Sequence, residues 1–494
     1  MARNPSARHW LARAAAAGTL LLAPAVWGQQ QPAAGAQQPA TGAPQGPAGA
    51  AQQSPDTTQQ TENAPQTSPG PVGGVEQYRV EGPGLGRSYY IPRLTVQQLD
   101  DTNPGYSSTS GGSQSDAVTA ITGGLTLQLL KRNSTFSLDY SSEGIIYDTG
   151  VEPNAVVQQL GVTEKLTLRR WTLLFAENFS YLPESAFLLG GLGYAGGASA
   201  GLAGIGGLTN VNQYLQQTQT IASPKVKQLS SSSAFQAQYN LGAGSSLSGS
   251  VVAGFLHFFG TSLLDSRDIY GRFEYDRALT RRDTLTFSYS VTRLDYSSSA
   301  PGFTTHSFQV GYRRLLTGRL NLSVLAGPTI SHFPTATGQT MVPGGANLVN
   351  WFVSGNLGYL TRRGGITVQY SHGIAGGSGF FVGTEADQVS ATLSRRFSRA
   401  WSGSINGGFA HNSSLQQTTP GTTSLGSLVF NDWFAGATLS RTVRRYSTLS
   451  FIYNAQRQTG NTTTCVMGLA CGPVALTQVV GITFNWSTRP LKLE

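Results

Sequence analysis

From about Leu94 to Trp486, apolar and polar residues alternate in blocks of about ten. The alternation is clearest where Leu285, Phe287, Tyr289 and Val291 interleave with Thr284, Thr286, Ser288 and Ser290. Successive strand side chains point to opposite faces, so each block predicts a strand with one apolar and one polar side. No helical stripe competes with this period. The polar side is rich in Ser, Thr, Gln, Asn and Gly, which is hard to place in a soluble sheet of this extent. The pattern predicts an all-β fold, a transmembrane antiparallel up-and-down β-barrel with lipid outside and water inside.

Composition points the same way. The chain has 494 residues, long enough for two or three soluble domains, but only 12% are charged. That is about half the share of an ordinary globular chain. Glycine is abundant at 61 residues and aromatics reach 10%, as expected of close-packed strands with aromatic girdles. A mean hydropathy of −0.14 argues against a helical membrane protein, because half of each strand is polar.

The N-terminus reads as an export signal. Arg3, Arg8 and Arg13 form a basic start, Leu11 to Trp27 is mostly apolar, and Val26 and Gly28 are the small residues before a cut ahead of Gln29. No Cys follows that cut, and no later apolar run is long enough for a membrane helix. Removing residues 1–28 lowers the formal charge from +9 to +6. Residues 29–86 are rich in Gln, Pro, Ala and Gly, without periodicity, and are expected to be a disordered periplasmic segment. The barrel is expected over 87–487, with a short tail over 488–494.

Within the barrel, short connections alternate with long ones. The short ones fall near 131–133, 169–170, 241–244, 281–283, 317–318, 362–364, 398–399 and 444–445. Seven of these eight carry or adjoin basic residues, as expected of turns at anionic headgroups. The long ones fall near 142–154, 182–226, 259–267, 297–304, 332–348, 375–385, 411–430 and 458–474. Counting hairpins from Ala117 gives about seventeen strands, an odd number that cannot close antiparallel. Tyr90 to Gln98, with Arg93, Thr95 and Gln97 alternating against Leu94 and Val96, supplies an eighteenth. Sixteen is the alternative, if one bent strand has been split. In the last strand, Gly481, Phe484 and Trp486 match the spacing of an outer-membrane assembly signal. Val479 stands where a polar residue is usual, and the chain runs on past Trp486.

The run Pro92-Arg93-Leu94-Thr95-Val96, then Asp100-Asp101-Thr102-Asn103, Ser115-Asp116-Ala117-Val118, Gly123-Gly124-Leu125 and Phe136-Ser137-Leu138-Asp139-Tyr140 resembles the start of β-barrel porin families of Gram-negative outer membranes. These families include barrels found beside exopolysaccharide systems. The resemblance covers about the first hundred barrel residues. It implies an outer-membrane barrel with a transport role and transfers no functional residue. The implied partners are outer-membrane lipid, the barrel-assembly machinery, and small polar solutes or a polysaccharide, with no nucleic acid. The oligomeric state is left open.

Candidate sites follow from the polar face. Arg272, Glu274 and Asp276 fall on one side of a strand, opposite Phe273 and Tyr275, and Arg313 lies one hairpin on. Such mixed charge would set a transverse field across a pore, or the charges would satisfy one another. No catalytic, metal or cofactor site is expected. His411 and Ser413 share a strand side but have no carboxylate nearby at triad spacing, and His306 and Ser307 point to opposite faces. Gly191-Leu192-Gly193-Tyr194-Ala195-Gly196 matches a dinucleotide fingerprint only in letters, with no strand or helix around it.

Cys465 and Cys471 share one loop and are expected to form a disulfide in an oxidising compartment, with two free thiols as the alternative. The uncharged stretch from Ala186 to Pro224 is expected to narrow the barrel mouth, with a mobile outer loop or a contact for a neighbouring subunit as the alternatives. Glu164 and Glu177 break the pattern, since both fall in register with apolar neighbours. A β-bulge that shifts the phase is the expectation. A polar notch for another subunit or an exported chain is the alternative.

Overall fold

A computed structural model describes residues 88–104, 115–150, 152–182, 227–242, 244–259, 264–297, 302–333, 347–376, 382–415, 429–460 and 474–493. The signal segment, residues 29–86, the Gly191–Gly196 motif, both cysteines and the stretch from Ala186 to Pro224 lie outside these residues. Eighteen long strands form one ring. They are β1 (Tyr89–Asp101), β2 (Asp116–Leu130), β3 (Ser134–Tyr147), β4 (Ala155–Thr167), β5 (Trp171–Leu182), β6 (Gln228–Gly242), β7 (Ser245–Phe258), β8 (Ser266–Ala278) and β9 (Asp283–Tyr296). The second half comprises β10 (Phe303–Thr317), β11 (Leu320–His332), β12 (Asn347–Thr361), β13 (Gly364–Ala375), β14 (Thr384–Arg396), β15 (Trp401–Ser414), β16 (Val429–Arg444), β17 (Ser447–Gly460) and β18 (Val474–Ser487). Each pairs antiparallel with the next. β18 closes the ring on β1, with Trp486 opposite Leu94 and Ile482 opposite Gln98. The strand that parity demanded at Tyr90–Gln98 is therefore β1, and the count is eighteen, not sixteen.

Both ends of the ring follow the connection lengths. Eight short turns gather at one end, and the connections 102–115, 148–154, 183–227, 259–265, 297–302, 333–346, 376–383, 415–428 and 461–473 at the other. The expected long connection at 142–154 is shorter, because Ser142 to Tyr147 continue β3 and pair with β2 and β4. The turn between β6 and β7 is the one without a basic residue. It is flanked by Gly242 and Gly244 at φ of 91° and 74°, where a side chain would be strained. After Ser487 the chain does not leave the wall. Thr488 N–H donates to Pro92 O, and a two-residue strand β19 (Leu491–Lys492) pairs with Tyr90 and Tyr89.

Alternation sorts residues onto two surfaces. Apolar side chains such as Leu94, Ile121, Val251, Phe273, Phe308 and Ile405 are exposed on the outside. Polar ones such as Gln97, Ser288, Gln309, Ser331, Asn412 and Thr483 are buried on the inside. A continuous apolar exterior on this scale is far larger than a soluble monomer tolerates. All five described tryptophans belong to it. Trp171, Trp401 and Trp486 lie near the short-turn end, Trp351 and Trp433 near the long-loop end. Two aromatic levels of this kind mark the two interfaces of a membrane barrel.

Register is continuous except at Leu315/Thr317, Thr442/Arg444 and Asn240/Gly242, all beside short turns. The β4–β5 ladder has no shift, so the bulge expected to turn Glu164 and Glu177 inward is absent. Both stay outward. Nor do they face each other directly, because Glu164 pairs with Phe175 and Glu177 with Val162. The two carboxylates are diagonal neighbours, which eases the repulsion that direct opposition would bring.

Candidate channel lumen

The inner wall is held by rungs of hydroxyl and amide groups between neighbouring strands. Ser180 meets Ser230 at 2.6 Å, Ser307 meets Thr329 at 2.9 Å, Thr305 meets Ser331 at 3.0 Å and Ser440 meets Ser450 at 2.9 Å. At the closing seam Thr95 donates to Asn485 at 2.7 Å. These short side chains satisfy one another within the wall and so need not reach across the barrel. Strands spaced by such residues leave the centre of an eighteen-strand ring unfilled by the wall itself.

Charged residues are set into this wall at defined heights. About halfway up β8, Arg272 lies buried against Glu274, with Nη2 and Nε at 2.5 and 2.9 Å from Oε2. Its Nη1 donates to Gln309 Oε1 of β10 at 3.3 Å, and Ser288 of β9 donates to the same oxygen at 3.2 Å. Asp276 accepts from Thr286 at 2.5 Å. Arg272, Glu274 and Asp276 thus share the inward face as the alternation predicts, with Arg272 and Glu274 closed on each other. Arg313 is also inward by register, opposite Thr284 and Ser323, but stands exposed near the short-turn end. It is not part of the Arg272 group.

A second ion pair was missed. Arg93 of β1 donates to Asp139 of β3 across β2, and Thr126 of β2 bridges them, accepting from Arg93 at 3.4 Å and donating to Asp139 at 2.7 Å. The sequence carried the signal, since Arg93 shares the polar side of its strand with Thr95 and Gln97. Only the register brings Asp139 to it.

Towards the long-loop end the inner wall holds more acids than the sequence reading singled out. Asp101, Asp116, Glu143 and Asp432 are inward and buried, and Asp268 is inward and half-buried. Among them stand apolar inward clusters, one with Leu99, Ile145, Val157 and Ile452, another with Leu294, Phe303 and Phe333.

The described histidines face the other way. His257, His306, His332, His372 and His411 all fall on the outward face near the long-loop end. Each bonds an oxygen partner, for example His411 with Asn431 at 2.6 Å and His372 with Asp387 at 2.9 Å. His411 and Ser413 share that outward face. Among the described residues no group of three or more His, Cys, Asp and Glu is placed to hold a metal.

Gly481 lies at the closing seam. A Cβ there would meet Gln98 O at 2.4 Å and Leu99 Cδ2 at 2.5 Å. Phe484 and Trp486 point outward from the same strand.

No family model matches the chain, and no curated protein matches it. Among solved structures it is similar to Pseudomonas aeruginosa OccK2 (OpdF) in complex with glucuronate, at 11% identity over 82% of this chain and 98% of that one, with a TM-score of 0.41. It is similar to the outer membrane protein OpdK of Pseudomonas aeruginosa, at 11% identity, 81% and 99% coverage and a TM-score of 0.40. It is also similar to the FrpB iron transporter of Neisseria meningitidis, at 7% identity, 81% coverage of each chain and a TM-score of 0.41.

Proposed function

We propose that this protein is an outer-membrane channel of a Gram-negative bacterium that passes small polar solutes passively through the barrel. The observation that carries the reading is the division of surfaces in a closed ring of eighteen strands, apolar with two tryptophan levels outside and hydroxyl- and amide-lined inside. A ring of this size has room for an aqueous path where an eight-strand barrel is filled by its own side chains. The short turns, with their paired arginines, face the periplasm, and the long connections face outward. Residues 1–28 serve as the export signal and residues 29–86 as a periplasmic segment.

Reconstitution of the mature, refolded barrel in a planar bilayer tests the reading. Stable stepwise openings are expected. A bilayer that stays silent with correctly folded, heat-modifiable protein would overturn it.

A further inference from the structure

Exposure decides which of the inward charges a passing solute meets. In the long-loop half, Asp101, Asp116, Glu143 and Asp432 point inward, but each is 3% exposed or less. Their carboxyls are shut into the wall. Of the strand acids described on that inner face, only Asp268 stands partly open. The short-turn half differs. Lys165 of β4, Arg313 of β10 and Arg396 of β14 are inward by register, opposite Thr135, Ser323 and Ser402. Both arginines are exposed and the lysine is half-buried. The inward carboxylates closest to their level are engaged elsewhere, Asp139 by Arg93, Glu274 by Arg272 and Asp276 by the Thr286 hydroxyl. Between the three cations the wall offers neutral polar groups, such as the half-buried amides of Gln238, Asn356 and Gln369.

We propose that the short-turn half of the lumen is an anion-selective vestibule, which favours small solutes carrying carboxylate or phosphate over neutral or cationic solutes of the same size. The inference rests on the channel reading above and names its solute class. Lys165, Arg313 and Arg396 stand on strands spread around the ring, so they surround the path instead of lining one side. Arginine keeps its charge at any physiological pH and matches the geometry of carboxylate and phosphate with two parallel N–H donors. Neutral neighbours leave those donors to the solute. The turns of the same mouth add to the field, with Arg169-Arg170, Arg281-Arg282 and Arg362-Arg363 at its edge. At physiological salt each charge reaches only about 8 Å. Selection is therefore moderate for a monovalent ion and stronger for a solute with several negative charges.

The test is the reversal potential of the refolded mature barrel in a planar bilayer under a KCl gradient, repeated with citrate added as a multivalent anion. The expected result is a Cl⁻ over K⁺ preference of roughly 2- to 5-fold, and a chloride current that citrate lowers. K165Q/R313Q/R396Q should bring the preference towards unity and remove most of the citrate effect. Should that variant fail to fold, R313Q/R396Q, which changes only exposed side chains, should lower both by a smaller step. Open channels with no preference, with a K⁺ preference, or with a Cl⁻ preference that these variants leave unchanged would overturn the inference and leave the channel reading standing. A silent bilayer would overturn both.

Discussion

The carboxylate of Glu177 accepts hydrogen bonds from the hydroxyls of Ser233 and Ser231 on the neighbouring strand, the latter at 2.8 Å. All three side chains lie on the outward surface, with Phe175 and Phe179 two residues either side of the glutamate. Glu177 sits near mid-height, where the surrounding exterior is apolar. A charge on the lipid side of a barrel is costly at that depth. The two serines are the local compensation, and they explain why β6 places hydroxyls on the face where its neighbours place Phe and Val.

Removing the compensation and removing the charge should therefore act in opposite directions. S231A/S233A strands the carboxylate and is expected to destabilise the folded barrel by about 1–3 kcal/mol. Glu177→Leu is expected to be neutral or stabilising. Urea unfolding from lipid vesicles, followed by tryptophan emission, measures both. Equal destabilisation by the two changes would mean that the glutamate is stabilised by something other than its serines.

The ring closes where Gly481 passes Gln98 and Leu99. A methyl group there would lie 2.4 Å from a backbone oxygen, and backbone cannot move aside cheaply within a continuous ladder. Gly481→Ala is expected to lower the fraction of barrel that resists SDS before heating. Phe484→Ala, which removes an outward ring and leaves the seam intact, should lower it less. Heat-modifiability on unboiled gels reads this directly. A G481A barrel that closes as well as the parent would show that the seam has more slack than its geometry indicates.

Sequence and structure agree where one rule, alternation, decides the answer. The strand blocks, the eight short turns and the parity argument for β1 all follow from side chains that must face either lipid or water. The inward placement of Arg272, Glu274 and Asp276 is legible for the same reason. Alternation says nothing of register, so the sequence could not show that Arg93 reaches Asp139 over an intervening strand, or that Arg272 borrows Gln309. The departure at Glu164 and Glu177 has a different cause. A rule built on transfer energies favours turning a charge away from lipid, whereas here hydroxyls on the next strand keep it outside without breaking the ladder. The acids of the long-loop half were in view in the sequence, but strand ends are where boundaries are least certain. One residue of error there reverses the face.

All five described tryptophans are outward, at two heights. Mature barrel in vesicles of brominated lipid should show strong quenching by bromines near the headgroups and weaker quenching by bromines at the chain ends. Iodide, confined to water, should quench little. If iodide were the stronger quencher, the apolar exterior would not be in lipid and the membrane reading would be lost.

Arg272 and Glu274 are 6% and 13% exposed at their side chains, so their pairing is shielded from bulk water. Breaking such a pair from one side leaves an uncompensated charge, at a cost of roughly 3 kcal/mol. Glu274→Leu and Arg272→Met are each expected to destabilise by about that much, while R272M/E274L should lose considerably less than the sum. A double-mutant cycle in urea gives the coupling. The same variants separate structure from conduction. If the pair serves chiefly to knit β8 to β9 and β10 through Gln309, the double variant should fold and conduct with little change in ion preference. If the arginine sets the field at mid-height, R272M/E274L should change the reversal potential even where stability is restored. Because the two charges cancel within 2.5 Å, the first outcome is expected.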